Sequence, residues 1–448
     1  MHTKINFENS LKFMALKSNR FLLLILIMAL GCNPSKRERP NIILIMADDL
    51  GMEAIGAYGG ESYKTPHLDQ LAAEGMRFEN CYSTPLCTPS RVQIMTGKYN
   101  FRNYIGFGLL DKKEKTFGHA LQAAGYKTAI AGKWQLYGNE KQQELAGGKV
   151  GTLPLQAGFD TYRLWQVKDR GERYKNPTLE TYQEGLVDYD EAYGPDKFVD
   201  FIGSFMAENK DDPFFVYFPM CLVHAPFEPT PESPEFEAYD PEVRINDTTY
   251  FKDMMFYMDE MIGQIVNKVD ELEIREETII LFIGDNGTDQ RIVSQWQGRR
   301  IQGGKGTTLD AGTHVPFIAN WKGKISPGSI NNNLIDFTDF YPSLLDMAGV
   351  ANDGREFTDG MSFYPQFFGD NSNARKWVFG HYDPRWLRDR PFARYVHDTE
   401  YKLYHNGNFF NFKRDPKELN PIADTDLTGA QLRLKNDFQE VLDKMNNN

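Results

Sequence analysis

Two adjacent pairs of oxygen-bearing side chains stand out in the chain, Asp48-Asp49 and Asp285-Asn286. Carboxylate and carboxamide oxygens are hard donors, so two such pairs suit calcium or magnesium; no His/Cys spacing suggests zinc. A lone Asp-Asp pair is most often a turn or a helix cap. The second pair, inside Gly284-Asp285-Asn286-Gly287, gives the metal reading its weight. A second group is Cys87-Thr88-Pro89-Ser90-Arg91. An isolated cysteine is usually a small buried hydrophobe or half of a disulfide. Here it lies between Pro85 and Pro89 in a rigid turn, with Arg91 at the opening of a helix that carries Val92 and Met95. Such a place presents helix-end N–H groups and a guanidinium to an anion.

These residues need a frame. Asn41 to Met46 is a short apolar run ending in Ala47-Asp48-Asp49, the pattern of a buried parallel strand that delivers carboxylates at its carboxyl end. Lys127 to Ala131, Phe214 to Pro219, Thr278 to Ile283 and Pro316 to Ala319 read as further strands, the first three leading to Gly132-Lys133-Trp134, His224 and Asp285. Helical spacing falls over Thr65–Gly75, Thr116–Ala124 and Asp253–Leu272. Strand and helix alternate, which predicts an α/β fold over residues 41–372: a large doubly wound mixed sheet flanked by helices, with ligands at the carboxyl ends of its strands. From about Arg375 the texture changes to short aromatic segments, Trp377-Val-Phe-Gly, Phe392-Ala-Arg-Tyr, Tyr401-Lys-Leu-Tyr and Asn408-Phe-Phe-Asn. They predict a smaller C-terminal subdomain over 373–448, an antiparallel sheet closed by a helix from Thr428 to Met445.

The 448 residues carry 50 Lys and Arg against 62 Asp and Glu, a net charge of −12, which argues against nucleic acid or anionic lipid as a general partner. A local basic pocket is still allowed. Lys12, Lys17 and Arg20 precede the wholly apolar run Phe21 to Leu30, followed by Gly31-Cys32. This predicts a lipoprotein-type signal over 1–32, lipidation at Cys32 and a polar tether over 33–40; Met14 would give a more typical start. The expected location is outside the cytoplasm, as a periplasmic or cell-surface lipoprotein held to the membrane by its N-terminal lipid anchor. Cys81 and Cys221 could pair in such a compartment, but spacing alone does not place them together.

Cys87-x-Pro89-x-Arg91 resembles the signature of the type I sulfatases of the alkaline phosphatase superfamily, bacterial lipoprotein sulfatases among them. Ala47-Asp48-Asp49-Leu50-Gly51, Thr65-Pro66-His67-Leu68-Asp69, Thr96-Gly97, Gly132-Lys133-Trp134, His224-Ala225-Pro226, Gly284-Asp285-Asn286-Gly287, Lys305-Gly306-Thr307 and Val315-Pro316 resemble that family's motifs, in its order. The resemblance implies hydrolysis of a sulfate monoester. It implies that a formylglycine-generating maturation enzyme oxidises Cys87 to formylglycine (3-oxoalanine), whose hydrate supplies the nucleophile. One calcium ion would be held by Asp48, Asp49, residue 87, Asp285 and Asn286. Lys133 and Lys305 would offset transition-state charge, His224 would serve the departing alcohol, and Arg91 would hold the hydrated residue. Alone, Lys133 and Lys305 would be solvated lysines and His224 a loop histidine; the ordered set overturns that.

Three positions depart from the family pattern. Gln135 stands where a histidine follows Gly-Lys-Trp, and a glutamine has no base function near neutral pH. Asp310 replaces a glutamate and His314 an arginine. Substrate choice is expected from loops at Trp165 to Tyr174, Gln290 to Arg300 and His381 to Arg390, where His381, Trp386, Arg385, Arg388 and Arg390 combine aromatic faces with cationic forks. A sulfated oligosaccharide fits them, although the cluster could instead simply pack the subdomains together. The alternatives are a phosphomonoesterase or phosphonate hydrolase of the same superfamily, and a non-catalytic relative that binds sulfated glycans.

Overall fold

A computed structural model describes residues 39–168, 170–243, 245–350, 358–386 and 390–446. Cys32, the signal, most of the tether and Arg388 lie outside them.

The first strand, β1 (Asn41–Ala47), explains the centre of the fold. Ile43, Ile45 and Ala47 enter one hydrophobic cluster and Ile42, Leu44 and Met46 the other, so both faces of the strand are buried. A strand covered on both sides has no polar positions to alternate, hence the unbroken apolar run. Around it lie β2 (Met76–Tyr82), β3 (Lys127–Lys133), β4 (Thr161–Trp165), β5 (Thr178–Thr181), β6 (Gly185–Asp188), β7 (Phe214–Pro219), β8 (Thr278–Gly284), β11 (His314–Asn320) and β12 (Ser329–Asp336). They form one ten-stranded sheet in the order β12-β2-β11-β8-β1-β7-β3-β4-β5-β6. Strands β8, β1, β7, β3 and β4 run parallel. Strand β11 is antiparallel to both β8 and β2, which turns β2 back into the direction of β1. The sheet is therefore mixed, and the carboxyl ends of β1, β2, β3, β7 and β8 meet at one edge.

Helices Pro66–Ala73, Gly194–Glu208 and Phe251–Glu271 cover one face. Helices Cys87–Thr96, Phe117–Ala123 and Phe340–Met347 cover the other. Thr65 gives no side-chain cap to the first of these. Buried Asp259, from the long helix, accepts the His67 and Leu68 N–H groups instead, at 2.9 Å each, locking two helices together.

The C-terminal sheet, β13 (Val378–Tyr382), β14 (Ala393–His397), β15 (Tyr401–Tyr404) and β16 (Phe409–Asn411), is antiparallel throughout. Phe438, Leu442 and Met445 of the helix Gly429–Asn446 pack on its Phe379, Val396, Leu403 and Phe409.

The segment Gln290 to Arg300, expected as a loop, is largely a hairpin of β9 (Val293–Trp296) and β10 (Arg299–Gln302). Gln297 (φ 48°) and Gly298 (φ 71°) supply the two left-handed residues that a tight hairpin turn requires. Cys81 and Cys221 are free thiols belonging to clusters on opposite faces of the sheet, so they do not pair.

Candidate active site

Asp48 and Asp49 follow β1, and Asp285 and Asn286 follow its parallel neighbour β8. Asp49 has φ 62°, an uncommon conformation for a residue with a side chain, and is held in it because its N–H donates to Asp285 Oδ1 at 2.9 Å. Asn286 Nδ2 donates to Asp49 Oδ1, also at 2.9 Å. Lys133 ends β3. Gly132 before it has φ 109° and lies against the Pro219 carbonyl, where a Cβ would collide, so only glycine lets β3 turn the lysine inward. Lys133 Nζ reaches Asp48 Oδ2 at 2.7 Å and lies 3.7 Å from Cys87 Sγ.

Cys87 opens the helix Cys87–Thr96 after β2. The preceding turn is braced by Thr84 and Ser90, whose hydroxyls lie 2.8 Å apart, while Ser90 Oγ also donates to the Thr84 carbonyl at 3.1 Å. One turn into the helix, Arg91 is 1% exposed; it donates to the Lys133 carbonyl at 3.0 Å and pairs with Asp285 at 3.3 Å and Asp48 at 3.8 Å. Lys305 pairs with Asp49 at 2.5 Å, and His224 Nε2 lies 3.8 Å from the same Asp49 oxygen. Gln135, with φ 54°, places Oε1 3.4 Å from Cys87 Sγ.

Three carboxylates and three cations thus share one largely buried pocket. Burial alone would raise Asp48, but the charges of Lys133, Arg91 and Lys305 more than offset it and hold the carboxyl far below its usual range. Burial pushes Asp49 up, against the pull of Lys305. Asp285 is pushed well up by burial and then by the charge of Asp48. Carboxylates raised by burial and by one another favour a further cation. Among the described residues, Asp48 Oδ1 and Asn286 Oδ1 are buried and accept no hydrogen bond. Asp48, Asp49 and His224, and likewise Asp48, Cys87 and Asp285, bring one potential ligand atom each within 4.8 Å of one another. Unpartnered oxygens in a hard-donor cluster fit a divalent, oxygen-preferring cation.

Burial raises the Cys87 thiol, with Lys133 pulling the other way, so the unmodified side chain is a neutral thiol and not an activated thiolate. Burial, then Lys305 and Lys133, hold His224 well below its ordinary value, which leaves a neutral imidazole. Its Nδ1 lies 2.5 Å from the Ala225 carbonyl, and its Nε2 is the nitrogen that faces Asp49.

Arg173 is a residue that the sequence did not single out. It is 4% exposed, lies 4.6 Å over the Trp165 ring, donates to the Ala225 carbonyl and sits 3.2 Å from His224 Nδ1. Its only sequence signal was its place in the Trp165–Tyr174 loop. Arg173→Ala is expected to lower kcat/KM on the order of 10-fold by loosening the His224 loop, with Arg173→Lys recovering part. Steady-state kinetics beside a melting curve checks this; unchanged kinetics in a folded variant removes the positioning role.

The remaining sequence candidates are not among the side chains that pair with Asp48, Asp49 or Asp285 among the described residues. Asp310 and His314 pair with each other at 3.3 Å, and His314 stacks on Tyr82. His381 Nδ1 accepts from Arg394 Nε at 3.0 Å, and Arg385 pairs with Asp383 at 3.3 Å.

Comparison with known proteins gives this edge-of-sheet cluster its class. A family model described as Sulfatase matches residues 40–350, and one described as N-sulphoglucosamine sulphohydrolase, C-terminal, matches 304–447. The N-acetylgalactosamine-6-sulfatase of Canis lupus familiaris is 29% identical over 424 residues, which are 85% of this chain and 73% of the relative. Human arylsulfatase A is 30% identical over 387 residues, 79% of this chain and 73% of the relative. The solved structure of BT4656 with its substrate D-glucosamine-2-N,6-O-disulfate superposes with a TM-score of 0.73 at 22% identity, covering 92% of this chain and 99% of that one. The chain belongs to the sulfatase family. It is a sulfuric ester hydrolase.

Proposed function

We propose that this enzyme removes sulfate from a sulfated carbohydrate, with residue 87 matured from cysteine to formylglycine and one calcium ion beside it. The observation that carries the reading is Cys87 set between Lys133 and Gln135, next to the unpartnered oxygens of Asp48 and Asn286. Asp48, Asp49, Asp285 and Asn286, with residue 87, would hold the ion. Hydrated formylglycine supplies two hydroxyls on one carbon, and calcium supplies positive charge for the sulfate oxygens. The chain's own residues do the rest. Lys133 and Lys305 bind the ester's anionic oxygens and offset the charge that builds on them. His224, neutral in the free enzyme, takes up a proton as the anionic ester raises its affinity for one, and Nε2 delivers it to the departing alcohol. Arg91 keeps Asp48, Asp285 and the Lys133 backbone in register. Gln135 orients residue 87 through a hydrogen bond and moves no proton.

Cys87 is 1% exposed, so the maturation enzyme must reach it before the fold closes. The carbohydrate part of the reading draws on relatives named for galactosamine and glucosamine sulfates. Export as a lipoprotein anchored at Cys32 is part of the same proposal; radiolabelled fatty acid incorporated into wild type and absent from Cys32→Ala would support it.

The direct test is peptide mass analysis of residue 87 in protein from a host with the maturation enzyme, together with sulfate release from a panel of sulfated oligosaccharides and aryl sulfates. Aldehyde at 87 and release from saccharides is the expected result. Unmodified cysteine with no release would overturn it, and release from aryl esters alone would overturn the carbohydrate part. Chelation is expected to abolish activity and lower the melting temperature, and calcium to restore both, since a ligand at about 100 times its Kd adds roughly 2.7 kcal/mol. Activity and melting that ignore chelator and calcium alike would remove the metal from the proposal.

A further inference from the structure

Leu86, immediately before Cys87, is buried against Tyr382 and Ala393. Those two residues face each other across β13 and β14, so the facing ends of these two strands lie beside residue 87. Two side chains of this region, one guanidinium and one neutral imidazole, already have partners. Arg385 pairs with Asp383, donates to the Ile105 carbonyl at 2.8 Å and lies 5.7 Å from the Tyr104 ring centre. His381 is held by Arg394 and packs edge-on against Phe101 and Phe392.

Arg390 is placed differently. Its guanidinium fills the space into which a side chain at Gly306 would project. Gly306 follows Lys305, and its N–H donates to the Pro85 carbonyl at 2.7 Å, two residues before Cys87. Arg390 therefore rests on the backbone that joins the Lys305 loop to the residue-87 turn. It is half-buried, its polar neighbour is the Tyr382 hydroxyl, and no carboxylate among the described residues lies within ion-pair distance of it. Lys305 has Asp49 and Lys133 has Asp48, whereas this guanidinium has no counter-anion among the described residues. A planar fork of donors beside the Lys305 loop, lacking an anionic partner among the described residues, suits a carboxylate or sulfate from the ligand.

We propose that Arg390 is a specificity-determining residue that pairs with a second anionic group of the saccharide, a sulfate or a carboxylate near the ester being cleaved. The preferred substrate then carries at least two anions. This deepens the carbohydrate-sulfatase reading and rests on it.

The test is calorimetric binding to the full chain carrying Cys87→Ala, which holds saccharide without turning it over. Three disaccharide probes are compared: one with two sulfates, one with one sulfate and a uronate, and one with a single sulfate on otherwise neutral sugars. At least a 10-fold tighter Kd for one doubly anionic probe is expected. Adding Arg390→Ala should bring that ratio close to one, and Arg390→Lys should keep part of it. Preference for the disulfated probe assigns a sulfate to Arg390, and preference for the uronate assigns a carboxylate. Equal affinities, a preference that survives Arg390→Ala, or no binding of any probe would each overturn the proposal. Sulfate release by the otherwise wild-type enzyme on the same probes reports separately on the parent reading, so the two can fail independently.

Discussion

The Cys87→Ser enzyme is expected to fold as wild type does and to release sulfate on the order of 10⁴-fold more slowly, or not at all. Serine nearly reproduces the volume and hydrogen bonding of cysteine, so the contacts to Lys133 and Gln135 can persist. In a host whose maturation enzyme acts on cysteine and leaves serine unoxidised, as peptide mass analysis of residue 87 verifies, it stays a simple alcohol, and a residue with one hydroxyl has none left to expel the sulfate it has accepted. A burst of up to one equivalent of alcohol without turnover would be the signature of that block. Sulfate measured by ion chromatography decides the matter: a serine variant retaining a tenth of wild-type turnover would eliminate formylglycine from the mechanism.

The second large effect is on stability. Arg91→Met removes a guanidinium that is 1% exposed and lies among Asp48, Asp285 and the Lys133 carbonyl. Removing one member of a buried ionic set leaves its partners uncompensated, which costs about 3–5 kcal/mol. Methionine keeps much of the apolar stem, so little of the loss should come from packing. The unfolding midpoint in urea is expected to fall accordingly, and added calcium to recover part of the loss, because a divalent cation replaces some of the missing charge. A loss below about 1 kcal/mol would show that Asp48 and Asp285 are satisfied without Arg91.

The centre of the fold was legible because β1, β7 and β8 are buried on both faces, and such strands leave nothing in the sequence but apolar residues. Strand β2, Met-Arg-Phe-Glu-Asn-Cys-Tyr, carries polar side chains between its apolar ones and escaped notice, although it delivers the Cys87 turn. Strands β5 and β6 have four residues each and form the sheet's far edge, too short for any periodicity to register. In the site, residues within motifs could be placed by order along the chain. Arg173 could not, because its contacts to His224 and Ala225 cross 51 and 52 residues and depend on the stacking of its guanidinium over Trp165. Arg385 and His381 show what spacing alone leaves out: the structure pairs them with Asp383 and Arg394, partners that their order along the chain does not announce.

The loop bearing Lys305 is tied to the C-terminal sheet. Lys402 Nζ donates to the Thr308 carbonyl at 2.7 Å and pairs with Glu418 at 2.6 Å, and Tyr404 joins the Thr308 hydroxyl at 2.9 Å. The shorter family match also begins at residue 304, upstream of this tie. For anyone exchanging parts between sulfatases, the transplantable module is therefore not the small sheet alone. A chimera joined at residue 373 would inherit Lys402 and Tyr404 from one parent and their Thr308 partner from the other. One joined ahead of Gly304 would carry the lysine and its clamp across together.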